Sequence, residues 1–256
     1  MKHWMVAVLA ALAPLGLAQK PLQTLSWGGY SVRIEGKSEG EQVARILSSG
    51  RTQLEIKGWQ LEASLVEITG KAPKELLLTD YSGGAHCCFT HYLFTQEGGL
   101  RNLMYEEWGD GGIREVRDLD GDGRAELITV GVYAYFAGLS FAESPGVTRV
   151  YAYDGIQLYD ATRQFPARNL REMQRYQSAF LEARKSGNAF GMKGLALGYW
   201  VNALVIGRGA AAKGWLMQNA PLEVRKWLLD NEEAILNSTS AVRISYSRTL
   251  PPPERR

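Results

Sequence analysis

The chain has 256 residues, with Lys+Arg 29 against Asp+Glu 27 and a formal net charge of +2. Hydrophobic residues make up 45% and charged residues 22%, ordinary globular proportions that exclude wholesale disorder, a collagen-like fibre and a polytopic membrane protein. So small a net charge gives no argument for a nucleic-acid or anionic-membrane partner, and two cysteines exclude a multi-bridge disulfide scaffold.

Residues 1–18 read as a secretory signal peptide. Lys2 supplies the positive start, residues 4–17 are apolar apart from a break at Pro14 and Gly16, and Gly16 and Ala18 satisfy the small-residue rule before a cleavage point. Mature protein is therefore expected to begin at Gln19, in a secreted or periplasmic location. The apolar run is short of the ~20 residues a spanning helix needs, which argues against a retained membrane anchor. A later apolar stretch, residues 194–207, is also too short and contains Asn202, so it reads as a buried core helix. No stable membrane insertion is expected after cleavage.

Residues 19–167 read as β structure. Alternating or β-branched runs recur at 30–34, 53–56, 76–79, 90–94, 127–132 and 148–153, separated by turns such as Gly83-Gly84, Gly98-Gly99 and residues 109–112. From residue 168 to 247 the grammar is helical. Asn169 with Glu172 resembles a capping box, and Leu170, Met173, Gln177 and Phe180 follow at helical spacing up to Gly187. Further helices are predicted over 189–206 with Gly207 as the C′ residue, over 210–218, and from Pro221 onward with Val224, Trp227, Leu228 and Ile235 on one face. Residues 248–256 carry three prolines and terminal charges, the pattern of an exposed tail.

The most informative stretch is VRDLDGDGRAELI, residues 116–128. Asp118, Asp120 and Asp122 stand at loop positions 1, 3 and 5, Gly123 at 6, and Glu126 at 9, while Arg124 at position 7 offers its backbone carbonyl. This spacing wraps oxygens around a hard cation, and Gly123 permits the sharp turn. An EF-hand has a bidentate Glu at position 12, here Thr129, and helical flanks, whereas Val116 and residues 127–132 are β-like. On these residues the sequence resembles the FG-GAP/VCBS repeats of integrin-like β-propellers. Their Asp-rich loops bind calcium between strands, so Ca²⁺ is the expected ion, held by Asp118, Asp120, Asp122, Arg124 and Glu126. A degenerate copy supports the resemblance. Shifting by 51 residues sets Glu67 on Asp118, Thr69 on Asp120, Lys71 on Asp122 and Glu75 on Glu126. A period near ~50 is the length of one propeller blade. With two aspartates replaced and Lys71 at its centre, the first copy should hold no metal. A closed propeller needs about 4 to 8 blades, more than this chain accommodates. The resemblance thus implies an α+β chain, with two or three propeller-blade-like antiparallel repeats followed by a helical module that covers an open sheet edge.

A second cluster, YSGGAHCCFTH at residues 81–91, joins His86 and His91 to Cys87 and Cys88. Export favours a vicinal disulfide between Cys87 and Cys88. Buried free thiols, a soft-metal site and a Cys-His nucleophile are the alternatives. Strand alternation opposes the metal reading, because His86 and Cys88 then face away from Cys87 and His91. No nucleophile elbow, P-loop, dinucleotide fingerprint or HExxH occurs. The expected function is an exported, calcium-stabilised β-repeat protein acting in binding or in envelope or extracellular architecture, with a protein or polysaccharide partner. The alternatives are a secreted hydrolase or lyase using Glu106, Glu107 or Asp110, and a metal or redox protein centred on Cys87 and Cys88.

Overall fold

The structure is a computed structural model that describes residues 21–84 and 87–240. The predicted signal peptide, His86 and the tail from 248 lie outside the described residues, as does the side chain of Cys87.

Among the described residues, twelve strands form three antiparallel sheets of four, each a meander in chain order. The first holds β1 (Gln23–Trp27), β2 (Tyr30–Gly36), β3 (Gln42–Ser48) and β4 (Arg51–Gly58). The second holds β5 (Gln60–Val66), β6 (Glu75–Gly84), β7 (Cys87–Thr95) and β8 (Arg101–Glu107). The third holds β9 (Gly112–Arg117), β10 (Glu126–Val132), β11 (Gly146–Tyr153) and β12 (Leu158–Asp160). Five helices follow: α1 (Ala167–Ser186), α2 (Met192–Val205), α3 (Gly209–Asn219), α4 (Leu222–Asp230) and α5 (Glu232–Thr239). The architecture is α+β, and no closed propeller is present among the described residues.

Side-chain alternation stacks these layers. On β6, Leu76 and Leu78 join Trp27, Ile34 and Ile46 of the first sheet in one core. Leu77, on the opposite face, joins Leu127 and Tyr151 of the third sheet in another. The second sheet is therefore covered on both faces, and its run of leucines reads as continuously apolar for that reason. A third core lies among the helices, where Trp200, Phe180, Leu216 and Leu228 pack with Val147 of β11.

The helices also complete a sheet edge. Among the described residues β12 pairs only with Tyr151, Ala152 and Tyr153, and no other described strand lies along the earlier half of β11 on that side. Helix side chains take its place. Asn169 Nδ2 donates to the Thr148 carbonyl at 2.8 Å, Asn202 Nδ2 to the Gly146 carbonyl at 2.9 Å, and the Gly146 N–H donates to Tyr176 Oη at 3.0 Å. An edge that would otherwise expose its backbone is closed by polar side chains.

Three local expectations are corrected, and a fourth holds. Asn169 is not a cap: the helix starts at Ala167 after Pro166, and Asn169 is buried against β11. The predicted fourth helix is two, broken at Asn231, although Val224, Leu228 and Ile235 all reach the core. Gly83-Gly84 ends β6 with an irregular register rather than standing outside it. The predicted C′ residue Gly207 does close α2: it takes φ +80°, and the N–H groups of Gly207 and Arg208 donate to Leu204 and Ala203.

Candidate functional site

The acidic loop joins β9 to β10, the first two strands of the third sheet. Its degenerate copy joins β5 to β6, the first two strands of the second, so both occupy the same topological position. The two loops touch: the Ala125 N–H donates to the Glu67 carbonyl at 2.6 Å. Gly70 lies so close to Arg124 that an added Cβ would stand 2.9 Å from its Cγ.

Carboxylate oxygens of Asp118, Asp120 and Glu126 converge within 4.8 Å of one another. Calcium–oxygen distances are about 2.3–2.6 Å, so oxygens that close can share one calcium, and this donor set suits a hard cation. Local turns place the groups. Asp118 accepts from the N–H of Gly121 at 2.6 Å and of Gly123 at 3.0 Å, Asp120 from Asp122 at 3.2 Å, and Glu126 from Leu119 at 2.8 Å. Gly121 and Gly123 take φ +81° and +88°, the left-handed values that let these amides turn inward.

Asp122 does not join the triad. It accepts from Arg124, Nη2 at 2.5 Å and Nε at 2.9 Å. The Arg124 side chain folds back on Asp122 and also donates to the Tyr153 carbonyl at 3.3 Å. Thr129, the would-be twelfth position, is buried in β10 and is no part of the cluster.

The electrostatics differ across the loop. The N–H groups of Gly123 and Gly121 hold Asp118 below the usual carboxylate range, and Arg124 does the same for Asp122. Burial pushes Glu126 up, opposed by the Leu119 N–H and reinforced by Asp120 and Asp122. A cation near Glu126 would reverse that push, because it favours the ionised carboxylate.

In the first copy Glu75 is fully buried. Its Oε2 accepts from the N–H of Ile68 at 2.9 Å and of Thr69 at 3.0 Å, and its Oε1 accepts from the hydroxyl of Thr69 at 2.8 Å. Thr95 adds a fourth contact at 3.3 Å. Lys71 is not at the centre of this loop: it is exposed and pairs with Glu97 at 2.5 Å. A Thr hydroxyl, rather than a lysine, stands where the second loop has Asp120. The sequence signal for this was present, since Thr69 aligns with Asp120.

His91 is buried on β7, stacked near Phe89 at 6.3 Å and edge-on to Trp108 at 6.4 Å, with its Nδ1 lacking a partner. Among the described residues the triad is the only group of three or more metal-ligating side chains, so His91 is brought to aromatic rings rather than to a described metal cluster. The Cys88 N–H donates to Ser82 Oγ at 2.6 Å, and Cys88 is disulfide-bonded. Glu106, Glu107 and Asp110 do share a cavity, of about 560 Å³, that also includes Arg149. Arg149 went unnoticed in the sequence because nothing in its local pattern marks a buried charge.

No family model, curated protein or solved structure matches the chain. Its function is therefore read from the site.

Proposed function

We propose that the chain is an exported β-repeat protein, stabilised by one calcium ion at the β9–β10 loop and serving in binding or in envelope or extracellular architecture. The carrying observation is the convergence of Asp118, Asp120 and Glu126 at the connection where the preceding sheet closes its equivalent loop with Thr69. Three successive four-stranded meanders support a blade-like reading of the repeats, as an open stack capped by helices. Asp122 and the Arg124 carbonyl complete the ligand set once the ion competes with the Arg124 guanidinium for Asp122. The ion's role is structural: it neutralises carboxylates that otherwise repel one another and ties β9 to β10.

Export supplies the ion, since extracellular calcium sites work at dissociation constants of about 10⁻⁴ to 10⁻³ M. The partner is a protein or polysaccharide. No helix among the described residues is long and apolar enough to cross a membrane.

Calorimetric titration of the mature chain with calcium, paired with elemental analysis, tests the reading. One site is expected, lost in Asp120→Ala. An absence of calcium uptake at millimolar ion overturns it. Intact mass of the exported protein is expected to begin at Gln19, and a retained residue 1–18 segment removes the export claim.

A further inference from the structure

A cleft lies between α1 and the third sheet. Val130 pairs with Thr148, so both stand on one face of that sheet, opposite the face that Leu127 and Tyr151 turn to the second sheet. These two residues form the floor of the cleft, whose volume is about 530 Å³. Its wall is α1, where Arg168, Arg171, Glu172 and Arg175 recur at helical spacing and so share one helix face. The volume falls within the ~300–1,000 Å³ common for small-molecule sites.

The carboxylates beside the cleft are already engaged. Glu172 is held by Arg175 at 2.8 Å. Glu115, which the register with Ile128 places on the same sheet face, is shared between Arg168 and Arg117, the latter at 3.2 Å. Glu126, further along that face, is turned to the Leu119 N–H in the acidic loop. Arg171 has no hydrogen bond or ion pair among the described residues. Arg117, Arg168, Arg171 and Arg175 thus stand against Glu115 and Glu172, and the local field favours an anion.

Thr148 supplies a second, independent pointer. It is only 6% exposed, yet its hydroxyl makes no hydrogen bond among the described residues. The oxygen is not sealed within the protein, and on a residue this buried its opening is the cleft that it lines. A buried hydroxyl without a protein partner is one that a ligand can satisfy. Tyr176 is less available: its hydroxyl accepts from the Gly146 N–H at 3.0 Å, and Arg175 covers its ring at 4.2 Å.

We propose that this cleft binds a hydroxylated monocarboxylate of sugar size, a hexuronate unit of an acidic polysaccharide. The planar guanidinium of Arg171 matches one carboxylate fork to fork, and Thr148 takes a ring hydroxyl. A phosphate dianion would bring twice the charge past Glu115 and Glu172, with a single uncommitted guanidinium to meet it. An aromatic acid would find the Tyr176 ring already covered. The inference rests on the polysaccharide-partner part of the proposed function and not on the calcium reading, because no residue of the acidic loop lines the cleft.

The mature chain, in calcium-containing buffer, is titrated with galacturonate and glucuronate, followed by calorimetry and ligand-observed NMR. Galacturonate methyl ester, which is neutral, and glucose 6-phosphate are the comparators. At least one uronate should bind saturably with a dissociation constant on the order of 1 mM, as its small size allows. The ester should bind about tenfold more weakly than galacturonate. Arg171→Gln should abolish uronate binding at an unchanged melting temperature, since Arg171 is exposed, while Arg33→Gln on β2 should bind as wild type. Thr148→Val should weaken binding about fivefold. Failure of both uronates to bind, equal binding of acid and ester, binding that survives Arg171→Gln, or tighter binding of glucose 6-phosphate overturns the proposal. Calcium uptake measured on the same samples reads the other site separately, so failure here is distinguishable from failure of the calcium reading.

Discussion

Glu75 and Glu126 hold the same post in successive sheets: each opens the second strand and accepts the N–H of the residue seven positions before it, Ile68 at 2.9 Å and Leu119 at 2.8 Å. In one loop the carboxylate is answered by Thr69 and Thr95, and in the other it faces Asp118 and Asp120. The shared bond is thus the part of the repeat that does not depend on an ion. Glu75→Ala strips the acceptor from two buried N–H groups, each worth about 1–3 kcal/mol when left unsatisfied. Urea unfolding should show a loss on the order of 3 kcal/mol, and a loss below ~1 kcal/mol would refute this role.

Calcium dependence should be confined to the second loop. Filling a site to a hundred times its dissociation constant stabilises the native state by ~2.7 kcal/mol. Chelator should therefore lower the melting temperature by several degrees, and Asp120→Ala should remove most of that response. Glu67→Ala should leave it intact, because Glu67 meets the acidic loop through its backbone carbonyl. A melting curve indifferent to chelator would reduce the loop to an acidic turn.

Asn202 is the hinge between helices and sheet. Its Nδ2 donates to Gly146 and Gly198 at 2.9 Å each, and its Oδ1 accepts from Asn169 at 3.1 Å and Thr148 at 3.4 Å, all with the side chain fully buried. Asn202→Leu leaves the Thr148 N–H and the Asn169 amide short of partners in an apolar setting. A destabilisation of about 2–4 kcal/mol is expected, with hydrogen exchange at 146–148 accelerated ahead of the first sheet. Unchanged exchange there would count against the edge-closing role.

These relationships explain what was legible in advance. The acidic loop, the paired glutamates and the switch from β to helix at about residue 168 lie in local spacing, so they were readable. Asn169 was misread because a buried Asn bonding a strand carbonyl and a capping Asn look alike locally. The break at Asn231 was missed because Val224, Leu228 and Ile235 keep helical spacing across it, and all three reach one core. Lys71 was placed by alignment alone, yet its partner Glu97 comes from a different turn. The cavity on the third sheet was the least accessible. Its floor is a register between β10 and β11, and its charge depends on Arg149 finding Asp160 and the end of α5.

Cys88 is disulfide-bonded, and Cys87 is the chain's other cysteine. The protein should therefore show no reactive thiol when denatured, and two after mild reduction. Two thiols on denaturation alone would exclude the Cys87–Cys88 bond. Zinc or copper retained at one equivalent would instead favour the soft-metal reading.

His91 should make the fold acid-sensitive. Burial, with Arg114 adding a like charge, lowers its pKa from 6.5 to about 4. The folded state thus binds this proton less readily than the unfolded chain, so stability is intact above about pH 6.5 and falls as pH drops toward about 4. The full loss is on the order of 3 kcal/mol, with about 2 kcal/mol of it reached by pH 5. Asp80, and Glu126 as long as no cation is bound, have pKa values raised mainly by burial and act in the opposite direction, gaining stability on acidification. Comparing wild type with His91→Gln separates these contributions. Urea midpoints measured from pH 7 to pH 5 should fall for wild type and stay nearly level for the variant, which cannot titrate there. Parallel pH profiles for the two proteins would mean that His91 is protonated in the fold at little cost, and that its contact with Trp108 and Phe89 is only packing.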